Sequence, residues 1–282
     1  MGSLTSEGMI VFSDLDGTLL DKDTYSFEEA VGAIRRLKAK SVPLVLASSK
    51  TRVEIEVYRR LLGNEHPFIV ENGAAAFIPE GYFPDADSGL TSRDGYLLIE
   101  IGLPYDVARE ALLRLKERTG LSIRGLGDMT VEELSILTDL PPGQAALAKR
   151  REYTEPFVLE HSPRVGQISS LVKRAAEMGL TCTVGERFLH LGGRHDKGEL
   201  VTRLVSRYRS AWGDAASVGL GDGKNDIEML AACEVAVVIR KKNGLVDEDV
   251  VRSVPGALIY DAGPAGWGRA IYDILDGRVG LK

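Results

Sequence analysis

Residues 9–21 read MIVFSDLDGTLLD: an apolar run, two aspartates one residue apart, then glycine and threonine. A run of this kind without polar alternation suits a strand covered on both faces, the pattern of a parallel sheet. The two carboxylates at its end repel each other, and burying them is costly unless something cationic meets them. The chain must therefore build, at the mouth of its first strand, a place where negative charge is wanted.

The pattern recurs. VPLVLASS (42–49), PFIVENGA (67–74), ASVGLGDG (216–223), VAVVI (235–239) and ALIY (257–260) read as further strands. Between them lie helical segments. Phe27, Ala30, Val31, Ile34 and Leu37 share a face, and RVEIEVYRRLLG stops at Gly63. This alternation predicts an α/β fold with a doubly wound, mainly parallel sheet. It is interrupted at EGYFPDADSGLTSRDG (80–95), which is rich in turn formers and reads as a boundary. Beyond it, YLLIEIG alternates like a half-exposed strand, TVEELSILTDL reads as a helix and LTCTVGERFLHLGG as a hairpin. The expected organisation is a catalytic core of residues 1–85 and 191–282 around an inserted α+β cap of residues 86–190. Residues 1–8 read as a flexible leader; they lack the basic start and apolar centre of a signal peptide.

Composition excludes some classes. A net charge of -6 argues against a general nucleic-acid binder, and no apolar run approaches the roughly 18 residues that span a bilayer. Cys182 and Cys233 lack metal-site spacing and read as buried thiols in a reducing cytoplasm.

In an open α/β sheet the ligand lies outside the carboxyl ends of the strands, which singles out four loops. In DLDGT, Asp14 and Asp16 suit a hard cation such as Mg²⁺; one carboxylate can then be a nucleophile while the other exchanges protons. In ASSKT, Ser48 offers a hydroxyl and an N–H to a phosphoryl oxygen, although serine there is equally a helix cap. In HDKGEL, Lys197 opens a helix, where the dipole does not favour it; taken alone it reads as a solvated lysine. In GDGKND, Asp222 and Asp226 follow another buried strand, Gly221 and Gly223 permit a tight turn, and Asn225 can hold its neighbours by its amide.

In this order the four loops resemble the motifs of the haloacid dehalogenase-like phosphatases, and the insert resembles their type C2 cap. The resemblance implies that Asp14 attacks phosphorus and that Asp16 protonates the leaving oxygen and then activates water. It implies Mg²⁺ held by Asp14, the Asp16 backbone carbonyl and Asp222. Asn225 and Asp226 would orient these groups, while Ser48 and Lys197 would bind the non-bridging oxygens. Three carboxylates and a phosphate dianion total about -5, and each unit repulsion at ~4 Å costs on the order of 4 kcal/mol at an effective dielectric of 20; Mg²⁺ and Lys197 would offset it.

SSKTR (48–52), ENGAA (71–75), KRREYTEPF (149–157) and LGGRHDKG (191–198) are similar, within that superfamily, to mannosyl-3-phosphoglycerate phosphatases. Related sugar phosphatases more often carry Thr-Gly-Arg where this chain has Ser48, Ser49 and Lys50. The implied substrate is a small phosphorylated sugar-glycerate. Ser49, Lys50, Arg52 and Arg151 are then candidates for its anionic groups, and Asn72 and Glu155 for sugar hydroxyls. His190 and His195 flank the third motif, with nothing to mark either as a ligand. The alternatives are a phosphatase for glucosyl-3-phosphoglycerate or sucrose phosphate, a phosphomutase, or a catalytically silent binding protein on the same fold.

Overall fold

The computed structural model describes residues 8–84, 89–161, 166–185 and 187–279. The expected leader, apart from Gly8, lies outside these residues. The chain opens with β1 (Met9–Ser13), α1 (Val31–Ala39), β2 (Leu44–Ala47), α2 (Arg52–Leu62) and β3 (Phe68–Val70), then β4 (Ala75–Pro79), β5 (Thr91–Arg93) and β6 (Tyr96–Glu100). A second group follows: α3 (Tyr105–Thr119), β7 (Ile123–Gly125), α4 (Val131–Thr138), α5 (Pro142–Ala148), β8 (Glu155–Leu159), α6 (Gln167–Glu177), β9 (Thr181–Val184) and β10 (Leu189–Gly192). The chain returns through α7 (Lys197–Trp212), β11 (Ala216–Gly221), α8 (Ile227–Ala232), β12 (Val235–Ile239), α9 (Glu248–Ser253), β13 (Leu258–Tyr260) and α10 (Gly263–Leu275).

The large sheet runs β13-β12-β11-β1-β2-β3-β4-β6-β5, parallel from β13 to β3 and antiparallel beyond. β1 lies near its centre, and its continuous apolar run has a direct cause. Met9 and Val11 pack with Leu37, Trp267 and Ile271 on one face, while Ile10 and Phe12 pack with Leu200, Leu204 and Tyr208 on the other. With both faces covered, a polar side chain in the strand needs a partner, as Ser13 has in the Asp14 carbonyl and Trp267 Nε1. The helices carry their own stop signals. Thr51 and Glu54 form a reciprocal capping box at the start of α2, and Gly63 ends it in the left-handed region at φ 55°.

The smaller sheet, β7-β8-β10-β9, is antiparallel. Its Phe157, Leu189 and Leu191 pack against Leu112, Leu115 and Leu171 of α3 and α6. Two expected boundaries shift. YLLIEIG was placed in the insert as a half-exposed strand; it is β6, and with β5 it extends the large sheet. Leu97 and Ile99 enter one core and Leu98 the other, so both faces are covered. The expected return at residue 191 falls inside β10, which belongs to the small sheet. No helix among the described residues is long and apolar enough to cross a membrane.

Candidate active site

The four loops meet at the carboxyl ends of the central strands. The Asp14 N–H donates to the Leu220 carbonyl at 2.9 Å, which brings the loops after β1 and β11 side by side. Lys197, at the first position of α7, is wholly buried, and its Nζ lies 2.7 Å from Asp14 Oδ1 and 2.6 Å from Asp226 Oδ1. Burial opposes its charge, but the two carboxylates outweigh that and hold the ammonium above its ordinary value. The cost of its place against the helix dipole is met by these carboxylates, with Asp196 capping the helix by accepting from the Glu199 N–H.

Asp14 is driven the other way. Burial first, then the nearby Asp226 and Asp222, push its carboxyl well above the usual carboxylate range, with Lys197 opposing. Asp226 acts as a brace: its Oδ2 accepts from the N–H groups of Asp222 and Gly223, both at 3.1 Å. Carboxylate oxygens of Asp14, Asp222 and Asp226 all lie within 4.8 Å of one another. Gly17, at φ 81°, allows this crowding, because a Cβ there would stand 2.9 Å from Asp222 Oδ2. Three buried carboxylates facing one ammonium leave about two unbalanced negative charges, and every donor is a hard oxygen. This set fits a divalent cation.

Asp16 lies outside that cluster. Its Oδ2 pairs with Lys50 Nζ at 2.9 Å, and its Oδ1 is buried without a hydrogen-bond partner among the described residues. Lys50 sits over the rings of Tyr25 (5.0 Å) and Tyr58 (5.7 Å). Burial works against its charge, and Asp16 and Glu54 more than offset that, raising it above the ordinary lysine value. Ser48 is buried; its carbonyl accepts from the Asn72 N–H and its Oγ from the Lys50 N–H. Asn72, at φ 60°, receives Asn225 Nδ2 on its Oδ1 at 3.2 Å, joining the loop after β3 to the one after β11.

Between the two sheets opens a cleft of about 930 Å³. Asp14, Asp16, Ser49, Lys50, Asn72 and Asp222 line its core side; Arg151, Pro156, Thr183, Arg187 and His190 line the other. Two expected substrate contacts do not reach it. Arg52 turns to Glu152 (2.8 Å), Glu56 (3.2 Å) and Asp94 (3.3 Å). Glu155 shares the face of Phe157, toward α3, because side chains alternate along β8; there it accepts from Arg109 (2.8 Å) and the Gly127 N–H (2.9 Å). Arg151 reaches the cleft wall, but its guanidinium is committed to Glu71 (3.2 Å), the Ser49 carbonyl (3.0 Å) and Thr154.

Three features have no role in the sequence reading. Glu71, in ENGAA, is wholly buried at φ 49° and accepts from the N–H groups of Glu152 (2.7 Å) and Thr154 (2.8 Å) and from the Thr154 hydroxyl (2.7 Å). With Arg52, it fastens the KRREYTEPF segment to the core. Trp267 Nε1 donates to Ser13 Oγ at 2.9 Å, and that hydroxyl donates to the Asp14 carbonyl at 2.7 Å, tethering the loop from α10. His190 points away from Leu189 and Leu191 into the cleft. Burial, with Arg151 nearby, lowers it to about 3 and keeps the imidazole neutral. Its period-two place on a strand was the available signal.

Residues 11–89 match a family model described as haloacid dehalogenase-like hydrolase. A glucosyl-3-phosphoglycerate/mannosyl-3-phosphoglycerate phosphatase from Persephonella marina is 39% identical over 271 residues, covering 95% of this chain and 97% of that protein. A mannosyl-3-phosphoglycerate phosphatase from Pyrococcus furiosus is 37% identical, with 82% and 90% covered. A haloacid dehalogenase-like hydrolase from Bacteroides thetaiotaomicron superposes with a TM-score of 0.64 at 18% identity, covering 95% of this chain and 99% of that one, a likeness of fold. With this identity over nearly the full length, and its acidic loops gathered at one sheet edge, the chain belongs to the haloacid dehalogenase-like phosphatases, in the group of the sugar-phosphoglycerate phosphatases.

Proposed function

We propose that the protein hydrolyses mannosyl-3-phosphoglycerate to mannosylglycerate and phosphate in the cytoplasm. The observation that carries the chemistry is the buried Asp14–Lys197–Asp226 chain beside Asp222. Lys197 holds Asp14 Oδ1, so the attack on phosphorus falls to Oδ2. A bond forms from Asp14 Oδ2 to phosphorus as the bond to the glycerate oxygen breaks, and Asp16 gives its proton to that oxygen. Water then attacks the phosphorus, Asp16 takes its proton, and the Asp14–phosphorus bond breaks to release phosphate. Lys50 orients Asp16 by holding Oδ2. Asp14, the Asp16 carbonyl and Asp222 are the residues that would hold Mg²⁺, with Asp226 and Asn225 bracing them. When bound, the ion supplies positive charge against the approaching dianion.

The relative from Persephonella marina, matched over nearly its whole length, carries both the glucosyl and the mannosyl activity in its name. Glucosyl-3-phosphoglycerate is therefore the second substrate we propose. The test is phosphate release from a panel of phosphorylated sugars and glycerates, with and without Mg²⁺. Preference for the sugar-phosphoglycerates, abolished by chelation, is expected. A higher kcat/KM for sucrose phosphate or for a simple hexose phosphate overturns the substrate assignment.

A further inference from the structure

A phosphoglycerate brings a carboxylate as well as its phosphate, and the cleft must meet both. The three cations chosen from the sequence are all spoken for: Arg52 outside the cleft by Glu152, Glu56 and Asp94, Arg151 by Glu71 and Ser49, and Lys50 by Asp16. On the core rim, Lys224 pairs with Asp249, Lys241 with Asp247 and Lys242 with Asp23, and Lys22 is not free either.

Arg187 differs. It stands on the turn between β9 and β10, lines the cleft from the cap side, and its side chain is 55% exposed. Its Nη1 donates to the Thr138 carbonyl, which anchors one corner of the guanidinium. The same Nη1 lies 3.6 Å from Asp139, whose side chain is 87% exposed and hence strongly screened. That arrangement engages one corner of the fork; its Nη2–Nε edge is the pair of donors that grips a carboxylate in two-point fashion. Arg187, Tyr25 and Asp16 line the same cleft, and Tyr25 lies under the Lys50 ammonium that holds Asp16. Arg187 thus shares its cleft with Asp16. The leaving group departs into that cleft, because Asp16 hands its proton to the leaving oxygen.

We propose that Arg187 is a specificity-determining residue that binds the carboxylate of the glycerate leaving group. The inference rests on the function proposed above and adds to it the recognition of one substrate group. The neighbouring wall suits the rest of such a substrate: His190 and its cross-strand partner Thr183 are neutral and polar, fit to face sugar hydroxyls.

The experiment compares the whole protein and its Arg187→Gln and Arg187→Lys variants on mannosyl-3-phosphoglycerate, its carboxyl methyl ester and p-nitrophenyl phosphate, with Mg²⁺ present. Arg187→Gln is expected to lose on the order of 10²-fold in kcat/KM on the acid, mostly through KM, and less than about 2-fold on p-nitrophenyl phosphate. Discrimination between acid and ester should collapse in that variant, and Arg187→Lys should restore part of it. Equal losses on all three substrates, or acid–ester discrimination intact in Arg187→Gln, overturn the role of Arg187 alone. A wild-type protein that cleaves p-nitrophenyl phosphate but not the acid overturns the proposed function, and Arg187 with it.

Discussion

Replacing Glu71 by Gln changes one atom in a side chain that has no contact with solvent. The carboxylate accepts from the N–H groups of Glu152 (2.7 Å), Tyr153 (3.3 Å) and Thr154 (2.8 Å) and from the Thr154 hydroxyl (2.7 Å), and faces Arg151 Nε at 3.2 Å. At that distance the gross attraction between unit charges is about 5 kcal/mol at an effective dielectric of 20. Glutamine removes it and turns an NH₂ group toward donors that need an acceptor. Arg151, whose side chain is 4% exposed, is left without a buried counter-charge. The expected loss of stability is ~3–5 kcal/mol, the range for breaking a buried pair from one side. Because Glu71 holds the 152–154 segment to the core, activity on sugar-phosphoglycerate should fall more than activity on p-nitrophenyl phosphate. Denaturant unfolding reads the first quantity and the two substrates read the second. The double variant Glu71→Gln/Arg151→Leu provides the check, because it removes both charges and should be less destabilised than the sum of the single changes. Strict additivity, or a single-variant loss under about 1 kcal/mol, would show that the pair is not coupled and that the account of the clamp is wrong.

Asp14→Asn should leave a folded protein with kcat reduced by roughly 10⁴-fold or more, as for other lost nucleophiles; substantial turnover would refute the assignment. Added Mg²⁺ should raise the midpoint of thermal unfolding, by an amount equivalent to about 2.7 kcal/mol at one hundred times its dissociation constant. Asp222→Asn should abolish most of that shift, and an unchanged midpoint in the wild type would remove the cation from the site. His66 is one of the buried histidines, with His190, that supply the pH dependence. Burial, then Arg59 and Lys38, lower it from 6.5 to about 4. Between those values the unfolded chain binds a proton that the folded protein refuses, so stability is lost as pH falls from 6.5 toward 4, by at most ~3 kcal/mol. In His66→Gln the acid side of the stability curve should flatten; parallel curves for variant and wild type would disprove this.

The sequence by itself determined the parallel core and the four loops. A strand buried on both faces is apolar along nearly its whole length, a serine being admitted only where its hydroxyl is hydrogen-bonded, as at Ser13 and Ser217, so β1, β2, β11 and β12 announce themselves locally. The residues that end such strands stand at the sheet edge whatever else the chain does, which is why Asp14, Ser48 and Asp222 fall together from local pattern; Lys197, which opens α7, joins them only through the resemblance of the four loops to the phosphatase motifs. What long side chains bind was not legible in the same way. Arg52, Arg151 and Arg187 carry the same group, and nothing local says that the first pairs with Glu152, the second with Glu71, and the third lines the cleft. Glu155 and Pro156 are neighbours in sequence, yet only the direction in which β8 joins the small sheet decides which of them meets the cleft. In the sequence reading YLLIEIG, which is β6, falls in the insert and β5 is part of the turn-rich boundary for a related reason: a short strand is completed by its hydrogen-bonded neighbour, and β4 supplies that neighbour for β6. The chemistry of the loops follows from residue type at a strand end; the substrate surface follows from partners more than a hundred residues apart in places, and only the folded chain brings them together.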